Sequence, residues 1–156
     1  MTTCPKPIHV NPVTATLVNE KERQNFLPNF FGEGFYSVNG GPSRPVMVLG
    51  ESLVYYWLDN LAEDYNGGFW HFYKLSNGGF YMAPDLEKSL RISVYGNCFE
   101  GDLSPDAAGI VATLFALGNL AGAVENDNLR FSELYHLLLS FVPGHPEGHL
   151  ICRAID

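Results

Sequence analysis

The chain has 156 residues, 46% hydrophobic and 17% charged, with 17 acidic against 9 basic side chains and a formal net charge of −8. A chain of ~150 residues buries roughly 70% of its unfolded surface and needs neither disulfide nor metal to fold, so residues 1–156 read as one domain. The hydrophobic content excludes a wholly disordered chain, and the acid surplus argues against direct nucleic-acid binding, which needs clustered Lys and Arg. No apolar run approaches the ~20 residues of a membrane span, so no membrane association is expected. The N-terminus, MTTCPKPIHVNP, lacks an apolar signal core, and a cytoplasmic location is expected. Cys4, Cys98 and Cys152 are widely spaced and odd in number. They form neither a disulfide framework nor a zinc pair and suit a reducing compartment.

Residues 1–15, with three prolines and no periodicity, are expected to be extended or loosely packed. Asn19 caps a short helix with Glu20 and Glu22 in its first turn, where the helix dipole favours acids, and Pro28 stops it. Phe30, Phe31 and Phe35 follow in a glycine-punctuated loop to Pro45, long for a compact domain. From Val48 to Tyr65 the apolar residues Val54, Trp57, Leu58, Leu61 and Tyr65 fall on one helical face, and Asn66-Gly67-Gly68 ends the helix.

Phe69–Leu75 and Gly79–Ala83 read as a hairpin closed at Asn77-Gly78, a pair suited to a two-residue turn. That turn sets Leu75 opposite Phe80, Lys74 opposite Tyr81 and Tyr73 opposite Met82. Phe69, Tyr73, Leu75, Phe80 and Met82 then share an apolar face that helices cover. Trp70, Phe72, Lys74, Tyr81 and Ala83 share the other, on which Trp70 and Tyr81 are candidates for an exposed recognition patch. Leu90–Tyr95 alternates strictly and is expected to join the hairpin as a third strand. Gly96–Asp102 reads as a glycine-bounded loop. Ser104-Pro105-Asp106 is a strong helix start, opening a nearly all-apolar central helix to about Ala121. A last helix spans about Leu129–Val142. PGHPEG is a turn, and Leu150–Ile155 a closing strand. The fold class is α+β: a small antiparallel sheet of three or more strands packed with about four helices.

His145, Glu147 and His149 are the one group that invites a metal-dependent hydrolase reading. Pro146 and Gly148 break the helix that paired zinc-binding histidines use, and no third ligand is evident. Cys98 lies near Glu100, Asp102 and Asp106, which disfavour a thiolate nucleophile. Asn97, Glu100, Asp102 and Asp106 gather at a loop–helix junction, and Ile92–Leu129 contains no Lys or Arg. This junction is a candidate docking surface for a protein partner. Its three acids are too few to trace a duplex at one charge per ~1.7 Å, so an acidic DNA mimic is the weaker alternative.

YNGGFWHFYKLSNGGFYMAP followed by GNCFEGDLSPDAAGIVATLFAL resembles the KlcA/ArdB antirestriction family, as do RQNFLPNFFG and LAEDYNGGFW. One departure is Cys98, where the family pattern leads one to expect glycine. The resemblance implies a small cytoplasmic α+β protein carried by plasmids and other mobile elements, counteracting type I restriction–modification. It implies no enzyme activity, no cofactor and no catalytic residues. It points to a protein partner, either a type I restriction–modification complex or an associated host factor.

Overall fold

The computed structural model describes Cys4 and residues 12–37, 40–124 and 128–156. Most of the segment expected to be extended or loosely packed, residues 1–3 and 5–11, lies outside the described residues. The elements run β1 (Ala15–Leu17), α1 (Glu20–Phe31), β2 (Phe35–Tyr36), β3 (Arg44–Pro45), α2 (Val46–Leu61), β4 (Trp70–Leu75), β5 (Phe80–Pro84), β6 (Leu90–Val94), β7 (Phe99–Leu103), α3 (Pro105–Ala123), α4 (Asn128–Phe141) and α5 (Gly148–Ile155). A short 3₁₀ turn at Val142–Gly144 joins α4 to the final segment. This is the α+β class expected, with five helices among the described residues and small antiparallel sheets ordered β1-β4-β5, β2-β3 and β6-β7.

The hairpin β4–β5 forms where its turn chemistry placed it, but one residue out of register. Gly78 N–H donates to Leu75 O at 3.0 Å, and Leu75 N–H donates to Gly79 O at 2.9 Å. The loop is therefore three residues long, with Gly78 at φ 94°, the turn-plus-bulge closure open to glycine. Asn77 favours this closure. Its Oδ1 accepts from Gly79 N–H at 2.9 Å and its Nδ2 donates to Leu137 O of α4 at 2.8 Å.

The extra turn residue shifts every pair, giving Lys74–Phe80, Tyr73–Tyr81 and Phe72–Met82. Phe80 and Met82 consequently join Phe72, and Tyr81 joins Tyr73. Helices cover both faces, not mainly the Tyr73/Leu75 face. Phe26 of α1 stacks on Phe72 with centroids 4.3 Å apart, and Phe30 and Phe31 meet the Phe80 ring. On the reverse face Tyr73 stacks on Tyr81 at 4.7 Å, and Tyr81 meets Phe141 of α4.

Four other expectations change. The third strand of this sheet is β1, paired through Ala15–Leu75 and Leu17–Tyr73, not Leu90–Tyr95. That strand pairs with Phe99–Leu103 in a hairpin of its own, touching the rest through the Ala62–Ile92 bridge. Helix α1 runs through Pro28 to Phe31. The proline forfeits the bond to the Gln24 carbonyl, and Gln24 is exposed, so water can satisfy it. Leu150–Ile155 is helical, not extended. Finally, Cys4 and Cys152 are disulfide-bonded with Cα atoms 5.7 Å apart, tying Cys4 to α5 where no cross-link was expected.

Helix α3 is the centre of the core. At 19 residues it matches a membrane span in length and apolar composition, yet eleven of those residues are buried against other elements. It lies across the free edge of β5. Thr113, fully buried, accepts from Met82 N–H at 3.2 Å and donates to Gly109 O at 2.8 Å. Gly109 permits this approach, because a Cβ there would stand 2.3 Å from Met82 O and 2.5 Å from the Ala83 Cα.

Two glycines of α3 separate close packing from helix propensity. Gly109→Ala forces backbone apart and should lower stability by ~1–3 kcal/mol. Gly118→Ala meets open space and should raise stability by up to ~1 kcal/mol, as expected in an exposed helix interior. Chemical denaturation midpoints of the two variants check the contrast. Equal shifts would show that α3 does not ride on the β5 backbone.

Candidate functional site

The junction from Asn97 to Asp106 is more ordered than a loop. Val94 pairs with Phe99, so Tyr95-Gly96-Asn97-Cys98 is a four-residue turn and Phe99–Leu103 a strand. Its alternation sends Phe99 and Leu103 into the core, with Glu100 and Asp102 outward. Asn97 is not on display. Its Nδ2 donates to Ala154 O and Asp156 O at 2.9 Å each, and its Oδ1 accepts from Phe99 N–H at 3.0 Å. The amide thus closes the C-terminal end of α5, satisfying carbonyls that a helix leaves open. Cys98 follows at φ 60° and is exposed. That left-handed conformation suits glycine, the residue the family resemblance led one to expect there.

Glu100 and Asp102 are exposed and share one counter-charge. Arg91 of β6 places Nη2 3.5 Å from Glu100 Oε2 and Nη1 3.4 Å from Asp102 Oδ1. The base-free span begins one residue after Arg91, and strand pairing brings that arginine directly opposite Asp102. The acidic patch is therefore partly neutralised, which the sequence did not reveal.

Asp106 has a different environment. Ser104 caps α3 by accepting from Ala107 N–H at 3.1 Å. Glu147 grips that cap, taking the Ser104 N–H at 2.8 Å through Oε1 and the Ser104 O–H through Oε2. His145 Nδ1 accepts from Glu147 N–H at 3.0 Å. This assigns the imidazole hydrogen to Nε2, which donates to Asp106 Oδ2 at 2.8 Å. Asp106 Oδ1 takes the Tyr81 O–H at 2.8 Å. Burial, reinforced by the Asp106 charge and hydrogen bond, pushes the Tyr81 hydroxyl far above its ordinary pKa. Burial first, and then Asp106 and Asp85, raise Tyr73.

This chain of bonds redirects the PGHPEGH turn. Both nitrogens of His145 are engaged and Glu147 is spent on the helix cap, while His149 is exposed on α5. Among the described residues no group of three or more His, Cys, Asp or Glu side chains is placed to hold a metal ion. The Ser104 hydroxyl is likewise consumed by its cap and by Glu147, so it does not present a free nucleophile.

Trp70 and Tyr81, candidates for an exposed patch, are 4% and 2% exposed. Tyr81 is sealed by Tyr73, Phe141 and Asp106. Trp70 donates its indole N–H to Tyr65 Oη at 2.8 Å and shows only part of its ring to a pocket beside α2. Of the six residues singled out from the sequence, Glu100 and Asp102 alone are exposed side chains. Asn97 and Asp106 are half-buried links. Sequence reasoning missed Arg91 and the Ser104–Glu147 clasp. The alternation of the Leu90–Val94 strand, which turns Arg91 outward, was a signal for the first, but a contact across 43 positions left none for the second.

Residues 63–156 match the family described as "Antirestriction protein". The chain is 52% identical over 147 residues to the antirestriction protein KlcA of Escherichia coli, covering 93% of this chain and 96% of KlcA. It is 31% identical to the putative antirestriction protein YubI of Escherichia coli strain K12, over 95% of this chain and 99% of that one. A solved structure reported for the KlcA and ArdB proteins superposes with a TM-score of 0.81 at 50% identity, covering 97% of this chain and all of the other. That work describes a novel fold and antirestriction activity against type I DNA restriction systems in vivo but not in vitro. The chain belongs to the antirestriction protein family.

The turn at Cys98 gives a direct check on the junction's geometry. A side chain held left-handed costs ~1–2 kcal/mol, part of which glycine's greater unfolded-state freedom offsets. Cys98→Gly should therefore raise stability by roughly 0.5–1 kcal/mol. A loss of stability on thermal or urea denaturation would contradict this turn.

Proposed function

We propose that this protein lowers type I restriction in the cytoplasm through protein contacts, without catalysis and without binding DNA. The single observation that carries this reading is the likeness, over nearly the whole chain, to proteins whose activity is present in vivo and absent in vitro. An inhibitor that needs the cell suits a partner found there, either the restriction complex in its cellular setting or a host factor associated with it. Carriage on a plasmid or other mobile element accords with such a role, since incoming DNA is what type I systems destroy. The hydrolase alternative loses its support because His145 and Glu147 are occupied in binding Asp106 and Ser104. The DNA-mimic alternative loses support because Arg91 interrupts the Glu100/Asp102 patch.

The working surface in this reading is the outer face of β6–β7, with Glu100 and Asp102 as its exposed acids. Phe99 and Leu103 anchor the same strand in the core, so the two carboxylates are carried on a firm backbone. Asn97 and Asp106 support that surface from behind.

The test is plating of unmodified phage on cells carrying a type I system. Glu100→Gln with Asp102→Asn should reduce protection by roughly fivefold or more, the equivalent of ~1 kcal/mol of lost contact. The purified variant should keep the wild-type circular dichroism spectrum. Cys98→Gly with His149→Ala should protect as wild type does. Full protection by the carboxamide variant, with loss in the second variant, would overturn the contact-surface reading.

A further inference from the structure

The pocket beside Trp70 shares no lining residue with the β6–β7 acids. It has a volume of about 450 Å³ and is lined by Tyr55, Asp59, Tyr65, Asn66, Gly67, Gly68 and Trp70. Three of its lining residues are aromatic and set at angles to one another. Tyr55 and Trp70 have centroids 5.1 Å apart at 52°, and Tyr65 stands edge-on to Trp70 at 6.0 Å and 84°. The indole N–H is already given to Tyr65 Oη, so the tryptophan offers no donor, and at 4% exposure it offers little ring surface. Gly67 and Gly68 hold positive φ, and a Cβ at either would meet nothing within 4 Å. The turn passes the pocket without side chains, leaving its mouth open.

The charge at the pocket is negative. Asp59 lines it and makes no ion pair among the described residues, and Glu51 accepts the Tyr55 O–H at 2.6 Å one helical turn earlier. Arg23 is a base close to the pocket's inner side, and its charge is partly spent on other contacts. Its Nη1 donates to Trp70 O at 3.0 Å, and its guanidinium sits 4.4 Å and 4.2 Å from the Phe69 and Phe72 centroids. Aromatic faces joined to a free carboxylate attract a cation, because the ring quadrupole and the carboxylate act in the same sense. A phosphate or carboxylate ligand would meet repulsion from Asp59 instead.

We propose that this pocket receives an arginine side chain of a protein partner, stacked on the half-buried Tyr55 ring with its guanidinium directed to the exposed Asp59. Arginine fits better than lysine because its planar head stacks on aromatic rings and presents paired donors to one carboxylate. The choice of a protein as the source rests on the protein-contact reading above; the pocket's preference for a guanidinium does not.

The experiment titrates the purified full chain with a short blocked peptide carrying one arginine. The control is the same peptide with citrulline, which keeps the shape and removes the charge. Two-dimensional NMR follows the Trp70 indole and the Gly67 and Gly68 amides. The arginine peptide should shift these signals with an affinity in the millimolar range, typical of one weakly buried contact. The citrulline peptide, and the arginine peptide on Asp59→Asn, should each bind at least about threefold more weakly. Equal shifts with arginine and citrulline, unchanged binding by Asp59→Asn, or no shifts at these residues would each overturn the assignment. Because the β6–β7 surface is untouched, plating with Asp59→Asn separates the two proposals. Loss of peptide binding with protection retained would leave the antirestriction surface at β6–β7 standing and remove the protein partner as the pocket's occupant.

Discussion

One fully buried hydroxyl links the two halves of this fold. The edge of a sheet exposes unpaired N–H and C=O groups, and burying such an edge without partners is costly. Strand β5 is such an edge, buried along its whole length. Thr113 meets the Met82 N–H, returning its own hydrogen to Gly109 O within the helix. Gly109 lets the helix backbone come close enough for that bond to form. An almost entirely apolar helix thereby acquires a fixed axial position on the sheet, which hydrophobic burial alone would not define, since that effect is non-directional.

Fixing α3 also fixes what its ends carry. Its first turn holds Asp106, bridging Tyr81 of β5 to His145, and Ser104, held by Glu147. The carboxyl-terminal helix is in turn closed by Asn97 from the β6–β7 turn. A continuous series of polar bonds therefore runs from the central hairpin through the start of α3 to α5 and back to the acidic hairpin. Glu100 and Asp102 stand on this braced unit. The Cys4–Cys152 bond adds a further tie to α5. Such cross-links are uncommon in reducing compartments, so the polar bonds would bear the load alone if it were reduced.

The legible parts of the sequence were those governed by neighbouring residues. Asn19 caps α1 through Glu22 N–H, and Ser104-Pro105-Asp106 starts α3 where such a sequence should. The alternation of Leu90, Ile92 and Val94 marked a strand correctly, with each buried. What failed depended on distant partners. Asn77-Gly78 serves a two-residue or a three-residue loop, and a bond to Leu137, sixty positions away, accompanies the longer one. Phe99–Leu103 contains Gly101 and two acids, poor strand formers that only pairing with β6 makes regular. Leu150–Ile155 is too short for periodicity to separate strand from helix. At the site, the acids were legible as charges but their roles were not. Asp106 faces Tyr81 and His145, whereas Asp102, four residues earlier, faces Arg91 and water.

The fold depends most on the seating of α3 on the β5 edge, and amide hydrogen exchange of Thr113→Val tests it most directly. Valine keeps the volume and β-branching but removes the acceptor for Met82 N–H, leaving a buried donor unmade. Stability should fall by ~1–3 kcal/mol, and the Met82 amide should lose more protection than amides in the middle of α3. A variant as stable as wild type, with the Met82 amide exchanging at its wild-type rate, would contradict the account.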